Sequence, residues 1–511
     1  MTVARPMETL TLGDLVDGLG PALPGSTPPV GDLVLDSRDV RPGCVFVALP
    51  GERVDGALFV DDAIARGAAA VLCEGTPEAI LGAPPEGPAY ILRVPGLRAA
   101  LPELARRAYG EPAALDRLIG VTGTNGKTTV AYLVAAALDQ LDGPAAYVGT
   151  LGVGAPSQLV PSGHTTPDLL SLYRCLASGS EPFRCAAVEV SSHALAQDRL
   201  AGIGLAVAGF LNLSRDHLDY HGTMEAYLAA KLRVFAQPRL EAAFVNLDDA
   251  NAAAALAAVP AGARVWGFTR RGAVATLPGP GRTVRLIEAA TDLRHGTRLT
   301  LAVDGERSHR VASPLVGDFH VENLLAALTA LVAAGCDAGA AAQALGGIPR
   351  IPGRLDMVPG PATGPRVIVD YAHTPEALAR LLGAVADLAP GPVTVVFGCG
   401  GDRDRGKRPL MGGIAARLAS RVIVTTDNPR GEDPAEIAQE VALGAVEGAA
   451  LEIELDRRRA IERALAVTPE DGVVVIAGKG HERWQEVAGV RWPFDDRAVA
   501  RSVLAGREVR R

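Results

Sequence analysis

Lysine is nearly absent from this chain: of 50 basic residues four are lysine and the rest arginine. Lys127, Lys231, Lys407 and Lys479 each lie inside a dense polar motif. A chain that has otherwise drifted to arginine keeps lysine where a compact cation with an accessible neutral amine is needed and a permanently charged planar fork will not serve. Aromatic residues make up 4% and the net charge is a mild −8, which excludes the broad basic footprint of a nucleic-acid-binding protein. Any bound phosphates are expected to be held locally. The six cysteines, Cys44, Cys73, Cys175, Cys185, Cys336 and Cys399, are scattered without a CxxC pair, which points to reduced, structural thiols rather than a disulfide framework. No apolar run is long enough to span a bilayer, and acidic residues interrupt the start of the chain where a signal peptide needs a continuous apolar segment. The reading is a soluble, cytoplasmic protein with no nucleic-acid partner and no membrane insertion.

What is present is α/β alternation over 511 residues, enough for three domains at roughly 100–200 residues each. Short β-rich runs at 33–35, 45–49, 70–73 and 90–94, with a helical run at 59–67, suggest a small α/β domain. A Pro/Gly-rich loop at 82–88 sits inside it, and a helical stretch at 97–109 leads out. The second region opens with an apolar run at 118–121, a Gly-rich turn and a helix at 128–141. Strands recur at 186–190, 205–211 and 243–246, as expected of a mainly parallel sheet. Between 264 and 311 the character changes to a β-rich insertion that precedes the helix carrying Asn323. A Pro-rich stretch at 348–365 marks the next boundary, beyond which strands at 367–370, 393–397, 422–425 and 473–477 alternate with helices such as 434–443. The predicted fold class is therefore α/β with three domains, at 1–97, 98–348 and 349–511: a small α/β domain, a central α/β domain with a mainly parallel sheet and a Rossmann-like C-terminal α/β domain.

Gly123, Thr124, Asn125, Gly126, Lys127, Thr128 and Thr129 follow a strand and open a helix. In that setting a Gly-rich turn aims successive N–H groups at an anion, and the helix N-terminus adds its partial positive charge. Lys127 is placed to reach β/γ-phosphates and the Thr128 hydroxyl to sit on a magnesium ion. The motif is a variant, because the first glycine of the standard P-loop is replaced by Val121. A tight strand-to-helix turn with an incidental lysine is the bland alternative.

Glu189 ends a strand, and a carboxylate there lies in the crevice where parallel sheets bind ligands. Asp216, His217, Asp219 and His221 follow another strand end, so His217 can face the same crevice. With Thr128 and phosphate oxygens, Glu189 and His217 complete a mainly oxygen-ligated magnesium sphere, although histidine is an unusual magnesium ligand. His217 and His221 at i, i+4 also read as a zinc pair, without an evident third ligand, and either histidine can be a capping or core residue. Lys231 falls on a helix just after this stretch. Its amine can take up carbon dioxide to form a carbamate, a carboxylate-like metal ligand that arginine cannot easily become; a solvated helix-face lysine is the default alternative.

The stretches GTNGKTT, EVSSH, NLSRDHLDYHG, DYAHTP, FGCGGDRDRGKRP, TTDNPRGEDP and AGKGHE, in this order, together with LDSRDVRPGCVFVALPGERVDG near the start, resemble the Mur ligases of peptidoglycan synthesis. The resemblance covers nearly the whole chain and is closest to the ligases that add the third residue of the stem peptide. It implies a first domain that holds the UDP of the precursor, a middle domain that binds ATP and a third that binds the incoming amino acid. Carried over by motif, Leu35, Ser37 and the turn Glu52, Arg53, Val54 contact the uridine nucleotide. His164, Thr165 and Thr166, with Ser191, Gln197 and Arg199, hold the muramoyl dipeptide. Lys231 matches the family's carbamylated lysine. Asn323, Arg354, Asp370 and His373 fall where relatives surround adenosine and phosphates, while His320 stands where the related motif has asparagine and is left unassigned. Arg403, Asp427, Asn428, Pro429, Arg430, Gly478 and Glu482 match the amino-acid site. The DNPR sequence implies meso-diaminopimelate, whose distal carboxylate distinguishes it from lysine: Arg430 can bind that carboxylate bidentately, and Asp427 and Glu482 can meet ammonium groups. Lys407 and Lys479 border this site without an assigned bond.

The implied reaction joins meso-diaminopimelate to the D-Glu γ-carboxylate of UDP-N-acetylmuramoyl-L-alanyl-D-glutamate through an acyl phosphate, with ATP as co-substrate and Mg2+ as cofactor. It serves wall synthesis and, through it, cell shape and division. Alternatives are L-lysine as the acceptor, a P-loop NTPase or kinase with a regulatory binding domain, and a silent nucleotide-binding scaffold.

Overall fold

The computed structural model describes residues 10–508 apart from 24, 52–53, 76–88, 112–114, 178–182, 273–276, 279–280, 294, 306–307, 362–363 and 447. The expected Pro/Gly loop at 82–88 thus lies outside the described residues. The chain divides into two units: one holds the described residues up to Phe268 with Thr329–Cys336, the other holds Thr283–Leu328 and the chain from Asp337 onward.

The first unit contains two sheets. β1 (Asp32–Val34), β2 (Cys44–Ala48), β3 (Ala70–Cys73) and β4 (Tyr90–Arg93) run parallel in that order. All of β2 and β3 is buried, because a parallel sheet is covered on both faces and its strands then read as continuous apolar runs. Alternate residues divide between the two cores: Val45 and Val47 join Leu97 and Leu101, whereas Phe46 and Ala48 join Val60 and Ala63. The Leu97–Tyr109 helix, entered through Gly96 at φ 64°, buries Leu97, Leu101, Leu104, Ala105 and Ala108, the spacing of one helical face.

β5 (Arg117–Thr122), β6 (Ala145–Gly149), β7 (Gly152–Gly154), β8 (Cys185–Glu189), β9 (Val207–Phe210), β10 (Ala242–Asn246) and β11 (Arg264–Thr269) follow. Their order is β11-β10-β9-β5-β8-β6-β7. All neighbours are parallel except β7, which folds back antiparallel on β6. β5 sits between β8 and β9, so the turns after these three strands meet at one crevice. One expectation needs correction: residues 264–269 do not open the β-rich insertion. β11 pairs in parallel with β10, because Val265, Trp266 and Phe268 are a buried apolar run that belongs to the sheet core.

In the second unit β12 (Arg282–Asp292), β13 (Gly296–Val303) and β14 (Ser308–Ser313) form the antiparallel insertion. A second sheet contains β15 (Asp356–Val358), β16 (Arg366–Asp370), β17 (Val393–Phe397), β18 (Arg421–Val424), β19 (Leu451–Ile453) and β20 (Val473–Ala477), in the order β15-β16-β20-β17-β18-β19. Only β15 is antiparallel to its neighbour. Its two faces carry separate cores, one with Val395, Phe397 and Val475, the other with Val396, Ile423 and Ile476. β21 (Trp484–Val487) and β22 (Val490–Pro493) form a hairpin.

Beneath the ends of β18 and β20 lies a fully buried ion pair. Arg457 Nε and Nη2 donate to the two Asp496 oxygens at 2.7 Å, with neither side chain exposed. The same guanidinium donates to the carbonyls of Ala477 at 3.0 Å and Thr426 at 3.4 Å. It thereby grips the residues immediately before the two loops described below.

Candidate functional site

The phosphate-loop motif lies between β5 and the Lys127–Leu141 helix. Gly126 has φ 85°, a backbone state that glycine alone adopts without steric cost. Lys127 Nζ donates to the carbonyls of Gly123 and Thr124, each at 2.9 Å. Lys231, on the Met224–Leu232 helix, is 1% exposed and so is not a solvated helix-face lysine. Its Nζ donates to the same Gly123 carbonyl at 2.8 Å and lies 4.4 Å from the centre of the Tyr227 ring. Burial, then the nearby Lys127 charge, pushes the Lys231 pKa well below its ordinary value, against a smaller pull from Asp216. A lysine held towards its neutral form is a nucleophilic amine.

Glu189 is fully buried at the end of β8. Its Oε2 accepts from Thr128 Oγ1 at 2.9 Å and Thr150 Oγ1 at 3.2 Å; its Oε1 accepts from Thr150 N at 2.8 Å and from the Tyr147 hydroxyl. Tyr147 and Thr150 were not singled out from the sequence, and only the side-by-side register of β6 and β8 brings them to Glu189.

His217 has φ 51°, a left-handed state that non-glycine residues adopt at a cost and that collects at functional sites. Burial lowers its pKa; Lys127 and Lys231 lower it further, and Asp216 opposes them. Its ring packs edge-on against His193 at 4.8 Å, and His221 Nε2 is engaged with Ser192 Oγ at 3.0 Å. Among the described residues no group of three His, Cys, Asp or Glu side chains is arranged to hold a metal ion, which gives the zinc-pair alternative no third ligand. The paired oxygens of Thr128 and Glu189 beside a phosphate loop do fit magnesium, which binds few protein oxygens and takes the rest of its shell from water and phosphate.

A cavity of 740 Å³ in this unit is lined by Leu35, His164, Gln197 and Arg199. Sequence reasoning gave no role to Arg98, Asp168, His193 and Tyr220, which line it too. His193 belongs to a motif quoted above, a signal that could have found it. Thr166 and Ser191 brace the wall: Arg199 Nη1 donates to Thr166 O at 2.7 Å, and Ser191 N to Thr166 Oγ1 at 3.0 Å. Thr165 bonds to Thr150 Oγ1 at 3.1 Å. Ser37 is buried and Val54 exposed, and neither lines the cavity; Glu52 and Arg53 lie outside the described residues.

In the second unit the residues expected near adenosine gather around the end of β16. The Asp370 carboxylate accepts the N–H groups of Leu355 and Ala372 at 2.8 Å each, and burial raises its pKa against the pull of Arg354. The Arg354 guanidinium lies over the Tyr371 ring at 4.9 Å. His373 Nδ1 meets the Tyr371 carbonyl at 2.9 Å, and burial lowers its pKa. Lys407 Nζ donates to His373 O at 2.9 Å, so its bond is to this group rather than to the amino-acid residues. Asn323 is buried on the Asp318–Ala333 helix. On the same helix His320 is wholly buried, and among the described residues neither ring nitrogen has a hydrogen-bond partner.

The residues expected to bind the amino acid gather after β18 and β20. Arg430 has φ 51° and is spliced to the hairpin: its N–H donates to Glu486 O at 3.1 Å and its carbonyl accepts from Ala488 N at 2.7 Å. Its Nη1 donates to Gly401 O at 2.8 Å. A Cβ on Gly400 would lie 2.9 Å from Nη1, and one on Gly478, at φ 107°, would lie 2.6 Å from Asp427 Oδ2. These glycines leave room for the two charged groups. Asn428 Nδ2 donates to Glu482 Oε2 at 2.9 Å, and the Pro429 carbonyl accepts Glu432 N at 3.0 Å. Arg403, exposed and donating to the neighbouring Asp402 carbonyl at 3.1 Å, flanks Gly400 together with Arg430: a Cβ on Gly400 would lie 3.9 Å from Arg403 Cγ. Lys479 and Glu486, for which the sequence suggested no bond, both lie within this group.

Comparison with known proteins agrees along the chain. Residues 31–109 match the Mur ligase family catalytic domain, 121–331 the Mur ligase middle domain and 353–480 the Mur ligase glutamate ligase domain. A Xanthomonas campestris pv. campestris (strain 8004) protein named UDP-N-acetylmuramoyl-L-alanyl-D-glutamate--2,6-diaminopimelate ligase is 45% identical over 479 residues, 94% of each chain. A Pseudomonas aeruginosa protein of the same name is 44% identical, covering 94% of this chain and 96% of its own. A solved structure of a ligase with that name superposes with a TM-score of 0.65 at 35% identity, covering 98% of this chain and 99% of that one.

Proposed function

The chain belongs to the Mur ligase family, and from that premise we propose that it is the ligase that adds meso-diaminopimelate to UDP-N-acetylmuramoyl-L-alanyl-D-glutamate in peptidoglycan synthesis. The observation that carries the reading is its similarity, along most of both chains, to proteins of that name.

The chemistry follows from leaving-group strength. A carboxylate oxygen does not leave, so the γ-phosphoryl of ATP is first transferred to the D-Glu γ-carboxylate, releasing ADP and giving an acyl phosphate. An amine of meso-diaminopimelate attacks its carbonyl carbon, and the tetrahedral intermediate collapses to an amide with loss of phosphate and a proton. Little covalent work falls to the protein; positioning and charge stabilisation carry phosphoryl transfer.

In this reading the N–H groups and side chains of 123–129 cradle the ATP phosphates, with Lys127 on the β/γ-phosphates. Asn323, Arg354, Asp370 and His373 receive the nucleotide. Thr128, Glu189, His217 and Lys231 as its carbamate would hold Mg2+, which when bound neutralises charge developing on the transferring phosphoryl group. Leu35, Ser37 and 52–54 take the uridine end of the precursor, and His164, Thr165, Thr166, Ser191, Gln197 and Arg199 the muramoyl dipeptide. Arg403, Asp427, Asn428, Pro429, Arg430, Gly478 and Glu482 receive the amino acid. The domain boundaries that suit these roles are 1–97, 98–348 and 349–511. No helix among the described residues is long and apolar enough to cross a membrane, and we place the enzyme in the cytoplasm with its nucleotide substrates.

The test is ADP release with the UDP-dipeptide and ATP, comparing meso-diaminopimelate, L-lysine and no amino acid. The expected outcome is release that depends on meso-diaminopimelate. Release equal with and without amino acid refutes the ligase reading, and a preference for lysine refutes the role of Arg430.

A further inference from the structure

The scheme above leaves Lys479 without a task, although it is one of four lysines in the chain and its side chain is 0% exposed. Its ammonium donates to Asn428 Oδ1 and to Glu482 Oε2, each at 2.9 Å. Asn428 Nδ2 donates to the same Glu482 oxygen at 2.9 Å, which closes a three-residue ring. Asn428 Oδ1 also accepts Glu486 N at 3.0 Å, so the ring is tied to the hairpin.

The consequence for Glu482 is asymmetric. Its Oε2 takes two donors, whereas its Oε1 takes no hydrogen bond among the described residues, and its side chain stays 19% exposed. A carboxylate anchored through one oxygen offers the other in a fixed direction, which suits an incoming ammonium group. The backbone delivers Lys479 to this place through residues that must be glycine: Gly478 at φ 107° and Gly480 at φ 55°, where an added Cβ would lie 2.7 Å from the Tyr371 Cβ. Arg457 secures the preceding Ala477 carbonyl. The closed slot takes a compact ammonium, and the wider planar guanidinium does not match it.

We propose that Lys479 is a positioning residue that aims the free oxygen of Glu482 at an ammonium group of the acceptor amino acid. The proposal rests on the acceptor site assigned above.

The test is steady-state kinetics of the full-length enzyme and its Lys479→Met, Lys479→Arg, Glu482→Gln and Lys479→Met/Glu482→Gln variants, with KM measured for each of the three substrates. Lys479→Met is expected to raise KM for meso-diaminopimelate about 10-fold or more while KM for ATP and for the UDP-dipeptide stays within about twofold, and Lys479→Arg is expected not to restore it. The double variant is expected to be within about threefold of Glu482→Gln, because Lys479 acts through Glu482. If Lys479→Met does not accumulate folded, Lys479→Gln gives the same comparison with the charge removed. A KM increase shared by all three substrates, or losses that multiply in the double variant, overturns the proposal. Wild-type turnover that ignores meso-diaminopimelate overturns the acceptor site itself, whereas normal wild-type dependence with an unchanged Lys479→Met KM overturns the role of Lys479 alone.

Discussion

The ammonium groups of Lys127 and Lys231 converge on one acceptor, the carbonyl oxygen of Gly123, at 2.9 and 2.8 Å. Two like charges on one carbonyl favour loss of a proton from the more buried amine, which is Lys231. As a carbamate Lys231 would reverse its sign, and repulsion of Lys127 would become attraction.

Lys231→Arg is therefore expected to lower kcat on the order of 10²-fold or more, the scale for removing a group that stabilises developing charge. Wild-type enzyme freed of carbon dioxide should lose activity and regain it with bicarbonate, and 13C-bicarbonate should give a carbamate resonance that the variant lacks. Full activity in Lys231→Arg would sink the carbamate.

Gly149 leaves space that a methyl group would take from Glu189 and Tyr147: a Cβ there would overlap Glu189 Oε1 and the Tyr147 hydroxyl. Gly149→Ala is expected to abolish ATP turnover by displacing the Glu189 carboxylate from Thr128, while binding of the UDP-dipeptide persists. Calorimetry with each substrate separates the two effects, and normal turnover would contradict the role of Glu189.

Arg430→Ala removes the proposed partner of the distal carboxylate. For a lost charge-assisted hydrogen bond, worth about 1.5–3 kcal/mol, kcat/KM for meso-diaminopimelate should fall roughly 10- to 150-fold, with L-lysine affected much less. Equal losses for both amino acids would show that Arg430 does not read that carboxylate.

The Arg457–Asp496 pair is wholly buried, so removing one partner leaves an uncompensated charge. Asp496→Ala is expected to destabilise the second unit by about 3–5 kcal/mol, read as a lower thermal midpoint. Loss of the grip on Thr426 and Ala477 should also raise KM for the amino acid; an unchanged midpoint would refute the first expectation.

His320 carries a pH dependence of definite sign. Burial lowers its pKa to about 3, while an unfolded histidine titrates near ~6.5. Both states are neutral above that value. As pH falls below it the unfolded chain takes up a proton that the folded one refuses, and stability declines by about 1.4 kcal/mol per pH unit. Melting wild type and His320→Leu at about pH 7 and pH 5 should show the variant losing about 2 kcal/mol less across that interval. Parallel losses would show that His320 does not govern this acid sensitivity.

Local signals in the sequence were reliable where the cause was local. The apolar run, glycines and lysine of 118–129 specify strand, turn and helix together, and the helix at 97–109 has the boundaries its periodicity suggests. The segment at 427–430 was singled out through its resemblance to the Mur ligases, and the structure sets it just after β18. What could not be read depends on register between distant strands. Tyr147 reaches Glu189 only because β6 lies beside β8, and Arg457 finds Asp496 from another helix. β11 was assigned to the insertion because its neighbours in sequence are punctuated by Pro and Gly, while its partner β10 lies earlier in the chain. The four lysines drew notice through composition, but their partners became visible only in three dimensions.

Arg430 is held as a rung: its main chain pairs with Glu486 and Ala488 of the hairpin while its side chain reaches Gly401. If Arg430 reads the acceptor as proposed, an inherited or engineered change of acceptor has to conserve a strand pairing as well as exchange side chains. Transplanting 427–430 alone into a relative would move the letters without their frame; a transferable specificity cassette has to carry the hairpin with them.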